Sequence, residues 1–411
     1  MLKQTTIISV ILLITLKMPI LAQTNFSLQK ALQTARANNP ILKVQNYNLN
    51  IAESDIVTSK LRPNPSFNNQ SLFLSQSGSN WGEGQNQQIW FQVTKPIQLP
   101  EQRRNKIAFA EQSFKLSQKN YHIAENSILS NVASKWLDVW LAQKELQIVS
   151  KANANVDSLL TINKLRFDKQ VITQTDLFRT QLLADQYALQ IKTSQQNYTN
   201  EMKNLKFLLG IQDNVLIDTT AEFVFNMPKS IDSLLRYALT QRDDIQAINS
   251  TIEVSNTNIK LQKSLAYPQP ELGFIYNPQN TVPYAGIFAT IDIPIFSRNQ
   301  GEIKKSQFIK AQAEENLKTV QQQIETDIQT AYGSYLTQQK NVADFQQILI
   351  QSEQILKNVK YSYLKGGTTI IDFLEAQRSW LDTQQQYTDN LFQYRKAYIQ
   401  LLFASGLINQ L

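Results

Sequence analysis

Two carboxylates three residues apart, Asp372 and Glu375, follow the pair Gly366-Gly367. On a helix that spacing puts both on one side. Together they would attract cations and repel anions. The same residues also read as helix N-terminal acids, favoured by the positive end of the helix dipole. Chemistry beyond charge is poorly supplied. The chain has one histidine, His122, in a helical run where it reads as an ordinary helix residue. There is no cysteine, so neither disulfides nor a thiolate metal site is expected. No Gly-rich phosphate loop, His-based triad or His/Cys metal cluster is written in the sequence. The chain is therefore expected not to be an enzyme and to need neither a cofactor nor a bound metal.

The acidic segment is one of two copies. Phe167 to Gln181 aligns with Tyr363 to Gln377 at an offset of 196 residues, which pairs Asp176 with Asp372. The same offset pairs Leu209-Gly210 with Ser405-Gly406. Nearby offsets pair Pro96-Ile97 with Pro294-Ile295, and Pro63-Asn-Pro65 with Pro268-Gln-Pro270. A repeat this long predicts two structural halves. We place repeat 1 at about 26–210, a linker at about 211–229, and repeat 2 at about 230–406.

The start of the chain reads as a signal peptide over residues 1–22. Lys3 precedes an apolar run from Ile7 to Leu16, and Ile20 and Ala22 suit the positions before a cleavage site. An N-terminal membrane anchor is the alternative. Leaving out Lys3 and Lys17, 38 basic residues stand against 33 acidic ones, spread along the chain. That distribution does not suit nucleic acid, which needs a concentrated basic face.

From Glu101 to Leu209 there is neither glycine nor proline, which predicts long helix. Apolar residues recur every seven positions at Ile107, Phe114, Tyr121 and Ile128, then, after a four-residue shift, at Val132, Val139 and Leu146. The second half repeats the stripe at Ile328, Tyr335, Val342, Leu349, Leu356 and Tyr363. Heptads over this length predict coiled coils, and the shift is a stutter. Past each turn a further stripe runs, Leu177 to Leu205 and Phe373 to Leu401. Each half thus holds two long helices joined by a turn. Ahead of them lie a shorter helix, Leu28 to Lys60 or Ile231 to Leu265, and a strand pair. The strands are expected at Phe67 to Ser75 and Gln87 to Ile97, and at Glu271 to Tyr276 and Tyr284 to Phe296. Their alternation and length suit tilted strands crossing a bilayer. Ser75 to Gln85 and Asn277 to Pro283 read as outer-rim loops. Trp81, Trp90, Phe91, Tyr276 and Tyr284 fit either interfacial girdles or barrel-wall packing.

Four strands cannot close a barrel, and an open sheet edge does not survive in lipid. Single-chain barrels begin at about eight strands. If these strands span a membrane, several chains share one barrel. Three copies make twelve strands, enough to enclose a channel.

Several segments together resemble the TolC-like outer-membrane efflux proteins, over nearly all of the chain after residue 22. Tyr363-Leu-Lys-Gly-Gly-Thr-Thr-Ile-Ile-Asp372-Phe-Leu-Glu375-Ala-Gln377 is similar to that family's second hairpin turn. Ile293-Pro-Ile-Phe-Ser-Arg298-Asn-Gln-Gly301 and Leu99-Pro-Glu-Gln-Arg103-Arg104 are similar to its strand-to-helix crossovers. The resemblance implies an α+β membrane protein and a homotrimer. Its twelve-stranded β-barrel would lie in the lipid of a Gram-negative outer membrane, continuous with a periplasmic coiled-coil α-barrel. It implies a passive exit duct serving a periplasmic membrane-fusion adaptor and an inner-membrane efflux pump, most simply of the RND type. It also implies an acidic ring at the periplasmic aperture, for which Asp372 and Glu375 match the motif. Tyr363 and Asp176 match a tyrosine–aspartate bond of the closed state, although plain packing of Tyr363 in its heptad stripe is equally open. A basic residue that the family carries at the position of Thr368 is absent. The Arg298-Asn-Gln-Gly301 and Arg62-Pro-Asn-Pro65 segments resemble the branch paired with heavy-metal cation pumps. Drug efflux and a type I protein secretion duct use the same scaffold. A trimeric coiled-coil surface stalk without transport is the alternative of another class.

Overall fold

The computed structural model describes residues 25–73, 87–213, 215–218, 223, 230–278 and 283–411. The expected signal peptide, the first rim loop, Trp81 and most of the linker lie outside these residues. In chain order the elements are β1 (Asn25–Phe26), α1 (Leu28–Asn38), α2 (Pro40–Lys60), β2 (Ser66–Phe73), β3 (Gln87–Pro96), α3 (Pro100–Asp168) and α4 (Gln174–Leu209). There follow β4 (Leu216–Ile217), α5 (Ile231–Gln241), α6 (Asp243–Ser264), β5 (Glu271–Asn277), β6 (Tyr284–Thr290), α7 (Gln300–Leu364) and α8 (Ile370–Ser405). The order helix, helix, strand, strand, long helix, helix thus occurs twice. α3 and α7 have 69 and 65 residues, and α4 and α8 have 36 each. At 1.5 Å per residue α3 is ~100 Å long.

The heptad residues are where the helices bury apolar surface. Val132, Val139 and Leu160 of α3 are buried, as are Ile328, Tyr335, Leu356 and Tyr363 of α7. Ala184 and Leu205 of α4 and Phe373, Trp380, Tyr394 and Leu401 of α8 complete the matching seams. Ile128 and Val132, on either side of the stutter, are both buried. Two apolar clusters result. One surrounds Trp136, Leu137, Leu205, Leu402 and Ile399 at mid-length. The other lies near the hairpin turns around Val156, Leu183, Phe373 and Trp380.

Three expectations need correction. The single helix over Leu28 to Lys60 is two, because Pro40 cannot continue α1. Asn39, extended at ψ 125°, instead caps α2 by accepting from the Ile41 and Leu42 amides. The helix over Ile231 to Leu265 is likewise broken, at Arg242 (ψ 137°), with no proline to mark it. The two breaks do the same job. Asn39 Nδ2 donates to the carbonyl of Leu208 at 2.6 Å, and Arg242 Nη1 donates to that of Ala404 at 2.6 Å. Those carbonyls are 196 residues apart, one at the end of α4 and one at the end of α8, where helices leave acceptors unpaired. Finally, β6 stops at Thr290, not Phe296. Its partner β5 starts opposite, at Glu271 just after Pro270. Beyond that point no described strand pairs with β6, and Ile293 and Phe296 stand exposed. The linker also contributes structure that the sequence did not announce. Leu216–Ile217 pairs in parallel with Asn25–Phe26, and Trp136 Nε1 fastens that pair to α3 through the Phe26 carbonyl.

The strands β2-β3-β5-β6 form one antiparallel sheet with β2 and β6 at its edges. Its register places Phe67 opposite Val93, Val93 opposite Phe274, and Phe274 opposite Ile287. One row, Phe67, Val93, Phe274 and Ile287, is therefore apolar across all four strands, and Phe67, Phe274 and Ile287 in it are 67%, 50% and 85% exposed. On the same face β3, β5 and β6 are mostly apolar, while β2 also carries Asn69 and Ser71. The alternate positions Asn68, Gln92, Thr94, Glu271 and Thr290 fall on the opposite face with Trp90 and Phe288. None of the described helices is long and apolar enough to cross a membrane.

Candidate functional site

The four residues expected to act lie at the two hairpin turns. Each long helix ends the same way. Val171 N donates to Arg166 O at 2.8 Å in the first turn, and Gly367 N to Ser362 O at 2.9 Å in the second. Each turn needs one left-handed residue, Gln170 (φ 59°) in one and Gly366 (φ 80°) in the other. The chain thus places a glutamine where its other copy uses glycine. Replacing Gln170→Gly should stabilise the first turn by about 1 kcal/mol, since a side chain is strained at that φ. Tryptic cleavage at the neighbouring Lys169 reads this locally, and the rate should fall about fivefold. An unchanged rate would show that the turn carries no such strain.

The next helix in each case opens with a capping box. The Asp176 amide donates to Thr173 Oγ1 at 3.1 Å, and its carboxylate accepts from Thr173. The Asp372 amide donates to Thr369 Oγ1 at 3.3 Å. Asp372 Oδ2 accepts from the Thr369 amide, the Thr369 hydroxyl and the Thr368 hydroxyl, at 3.0, 2.7 and 2.5 Å. The Thr368 hydroxyl, then the hydroxyl and amide of Thr369, hold the Asp372 carboxyl below its ordinary pKa. Both aspartates thus cap their helices, which for Asp372 is the helix N-terminal role that stood beside an aperture role.

The two acids differ in their surroundings. Asp176 faces Arg179 at 3.7 Å. At the position equivalent to Arg179, α8 carries Glu375, which is exposed and has no ion-pair partner among the described residues. Asp372 is also exposed, and Phe373, Leu374, Ala376 and Gln377 around them are buried. The first turn is thus close to neutral at its acid, while the second presents two carboxylates on one exposed side. Gln377 is fully buried, and neither of its amide heteroatoms finds a partner.

Tyr363 requires a correction. The resemblance put its hydroxyl on Asp176. It donates instead to Asn163 Oδ1 at 2.7 Å, in a buried site. Asn163 Nδ2 donates to Thr180 Oγ1 at 2.9 Å, and Thr180 donates on to the Asp176 main-chain carbonyl at 3.0 Å. The physical reason is that the Asp176 carboxylate is committed to its own capping box, while Asn163 lies in the seam that Tyr363 enters. Asn163, Thr180 and Tyr363 are each almost wholly buried, so this chain of bonds is shielded from water. It joins α7 to α3 and α3 to α4. Arg166 adds a second tie. Its guanidinium donates to the Leu364 carbonyl at 3.0 Å and lies 4.9 Å from the Tyr363 ring centre. The tyrosine is thus both packed in its stripe and hydrogen-bonded.

Asn163, Thr180 and Arg166 were missed at the level of sequence. Asn163 carried a signal. Val149, Ala152, Val156 and Leu160 form a buried stripe at helical spacing, and Asn163 is the polar residue that continues it. The equivalent positions in the second half are Val359 and Ala376, so the Asn163–Thr180 pair has no counterpart there. Among the described residues no three His, Cys, Asp or Glu side chains converge as a metal site.

The family model for outer membrane efflux proteins matches residues 31–211 and 234–407. The outer membrane protein TolC of Vibrio cholerae is 21% identical over 317 residues, covering 73% of this chain and 72% of the relative. The pyoverdine export outer membrane protein OpmQ of Pseudomonas putida is 22% identical over 294 residues, covering 68% of this chain and 62% of OpmQ. The crystal structure of CusC superposes with a TM-score of 0.75 at 17% identity, over 92% of this chain and 91% of that one.

Proposed function

Because the chain belongs to the outer membrane efflux protein family, we propose that three copies of it form one outer-membrane exit duct. The mature protein begins after Ala22 and consists of two copies of one unit, about 26–210 and 230–406, joined by the linker. Each protomer gives four strands to a twelve-stranded barrel. Its long helices form a periplasmic α-barrel whose hairpin tips meet a membrane-fusion adaptor and an inner-membrane pump of the RND type. Cargo passes by diffusion, since the energy is spent at the pump. Asp372 and Glu375 line the aperture at the tip, and Tyr363 with the Asp176 segment holds the two hairpins of a protomer together there.

One observation carries this reading. The sheet has two edges, β2 and β6, that no described strand pairs, and one face with an apolar row across all four strands that is mostly apolar on β3, β5 and β6. A bilayer would solvate such a face but not such edges. Pairing β2 of one protomer with β6 of the next removes the edges only when a ring closes. The recurring element order and the shared 196-residue offset support the two-copy description. For cargo, the segments at Arg298 to Gly301 and Arg62 to Pro65 favour metal cations through their resemblance to the branch paired with heavy-metal cation pumps, and drugs or a secreted protein are the other cargoes the scaffold serves.

The test is direct. The detergent-solubilised protein should have the mass of about three protomers and should give unitary steps in planar bilayers. A trimer that passes no current even with its tip carboxylates neutralised would remove the channel and leave a stalk, and a monomer would remove both. Deleting the genes for candidate pumps and adaptors in turn would then assign the partners and the cargo.

A further inference from the structure

Where β3 runs into α3 a cavity of about 730 Å³ opens. Four cations line it: Arg62 from the segment after α2, Lys95 near the end of β3, and Arg103 and Arg104 from the first turn of α3. Glu111 is the one carboxylate in the lining. None of the four cations forms an ion pair among the described residues. Arg103 is fixed by donating to the Lys60 carbonyl at 3.0 Å, and its Nε is buried without a partner. Unpaired cations gathered in a concave site focus a positive potential. Arginine forks in particular suit the oxygens of a phosphate.

Gln98 is the one uncharged polar residue of the lining, with its Oε1 buried and without a partner, and the rest is apolar, with Ile97, Ile107 and Pro96 among the cations. The sheet register says which way the cavity faces. Lys95 pairs with Leu272, two residues on from the pair Val93–Phe274. Side chains alternate along a strand, so Lys95 ends the row Ile89, Phe91, Val93 on the apolar face. That end is the one from which the helices continue. If this face meets lipid, as the proposed function holds, the cavity lies at head-group level of the periplasmic leaflet.

We infer that this cavity binds the phosphate of an anionic phospholipid head group, with the acyl chains lying against the apolar face along β3 and β5. The inference rests on the membrane reading for its lipid and on the four cations for its phosphate.

Native mass spectrometry of the purified trimer tests it, with phosphatidylglycerol, phosphatidylcholine and inorganic phosphate as probes. Wild-type protein should retain phosphatidylglycerol in preference to phosphatidylcholine, and millimolar phosphate should not displace it. The triple variant Arg62→Gln, Lys95→Gln, Arg104→Gln should weaken retention on the order of 100-fold, as expected for three basic residues beside an anionic leaflet. Arg103 is left in place because it also ties α3 to α2. Should the triple variant not assemble, Arg104→Gln alone should still weaken retention several-fold, and Arg104→Lys should restore most of it. Equal retention by wild type and either Gln variant overturns the site. Displacement by inorganic phosphate overturns the lipid as its occupant. Conductance is recorded on the same samples, so the two readings fail separately. A protein that conducts but shows no preference for phosphatidylglycerol loses this site and keeps its channel. A protein that retains the lipid but never conducts keeps the site and loses the channel.

Discussion

Neutralising both exposed acids of the second turn, as Asp372→Asn with Glu375→Gln, should lower the cation-over-anion permeability ratio of the reconstituted channel about tenfold at low salt. In a trimer the two positions supply six carboxylates around one opening. Asp372 and Glu375 are exposed, and Glu375 forms no ion pair among the described residues. The effect should shrink as salt rises, because exposed charges are screened over about 10 Å at 0.1 M. The first turn gives an internal control. Asp176 already faces Arg179, so Asp176→Asn should change selectivity much less. The pH dependence has a definite sign. Hydrogen bonds from Thr368 and Thr369 depress the pKa of Asp372, so its charge is present above the ordinary carboxylate pKa and persists somewhat below it as pH falls. In Glu375→Gln protein, cation preference should therefore survive acidification past the usual carboxylate midpoint, and Thr368→Val should move its loss to higher pH. Wild-type selectivity in the double variant would remove the acidic ring from the mechanism.

Much of this arrangement was legible in the chain, and what was not has a physical cause. Heptad stripes such as Ile328 to Tyr363 were legible because a seam must be apolar at every turn of a long helix. The second hairpin turn was marked by its glycine. The first was recovered only through the 196-residue offset, since Gln170 gives no sign of a left-handed residue. Pro40 did announce a break that a reading by apolar spacing alone passed over. Arg242 announced nothing: its break is set by a carbonyl 162 residues away, at Ala404. The end of β6 is likewise fixed by its partner strand and not by its own alternation, which runs on to Ile293. The hydroxyl of Tyr363 finds Asn163, 200 residues earlier. Spacing along one helix cannot report such a pair. The polar break in the Val149 to Leu160 stripe did report that something at Asn163 needed a partner.

The same cross-chain seating leaves Gly210 no room for a side chain. Gly210 ends α4 in the left-handed region at φ 66°. A Cβ there would sit 2.2 Å from the Asn38 carbonyl oxygen and 2.7 Å from its carbon. Those are main-chain atoms held at the α1–α2 break, where Asn39 is tied both to the Leu208 carbonyl and to the start of α2. They have no rotamer to change. Gly210→Ala must therefore accept the strained φ and also push the break away from α4, at a combined cost of about 3 kcal/mol or more. Gly406 is the matching position at the end of α8, with φ 75°. There the closest atom is Arg242 Cγ at 2.7 Å, with main chain no nearer than 3.6 Å. A side chain can swing, although the Arg242 bond to Ala404 would weaken as it does. Gly406→Ala should thus cost about 1–2 kcal/mol, less than its twin. Thermal unfolding of the two variants in detergent should show Gly210→Ala losing several degrees more, with a matching loss of assembled trimer. Equal and mild shifts would mean that the α1–α2 break is free to move, and that the paired cap carbonyls do not hold the helices in place.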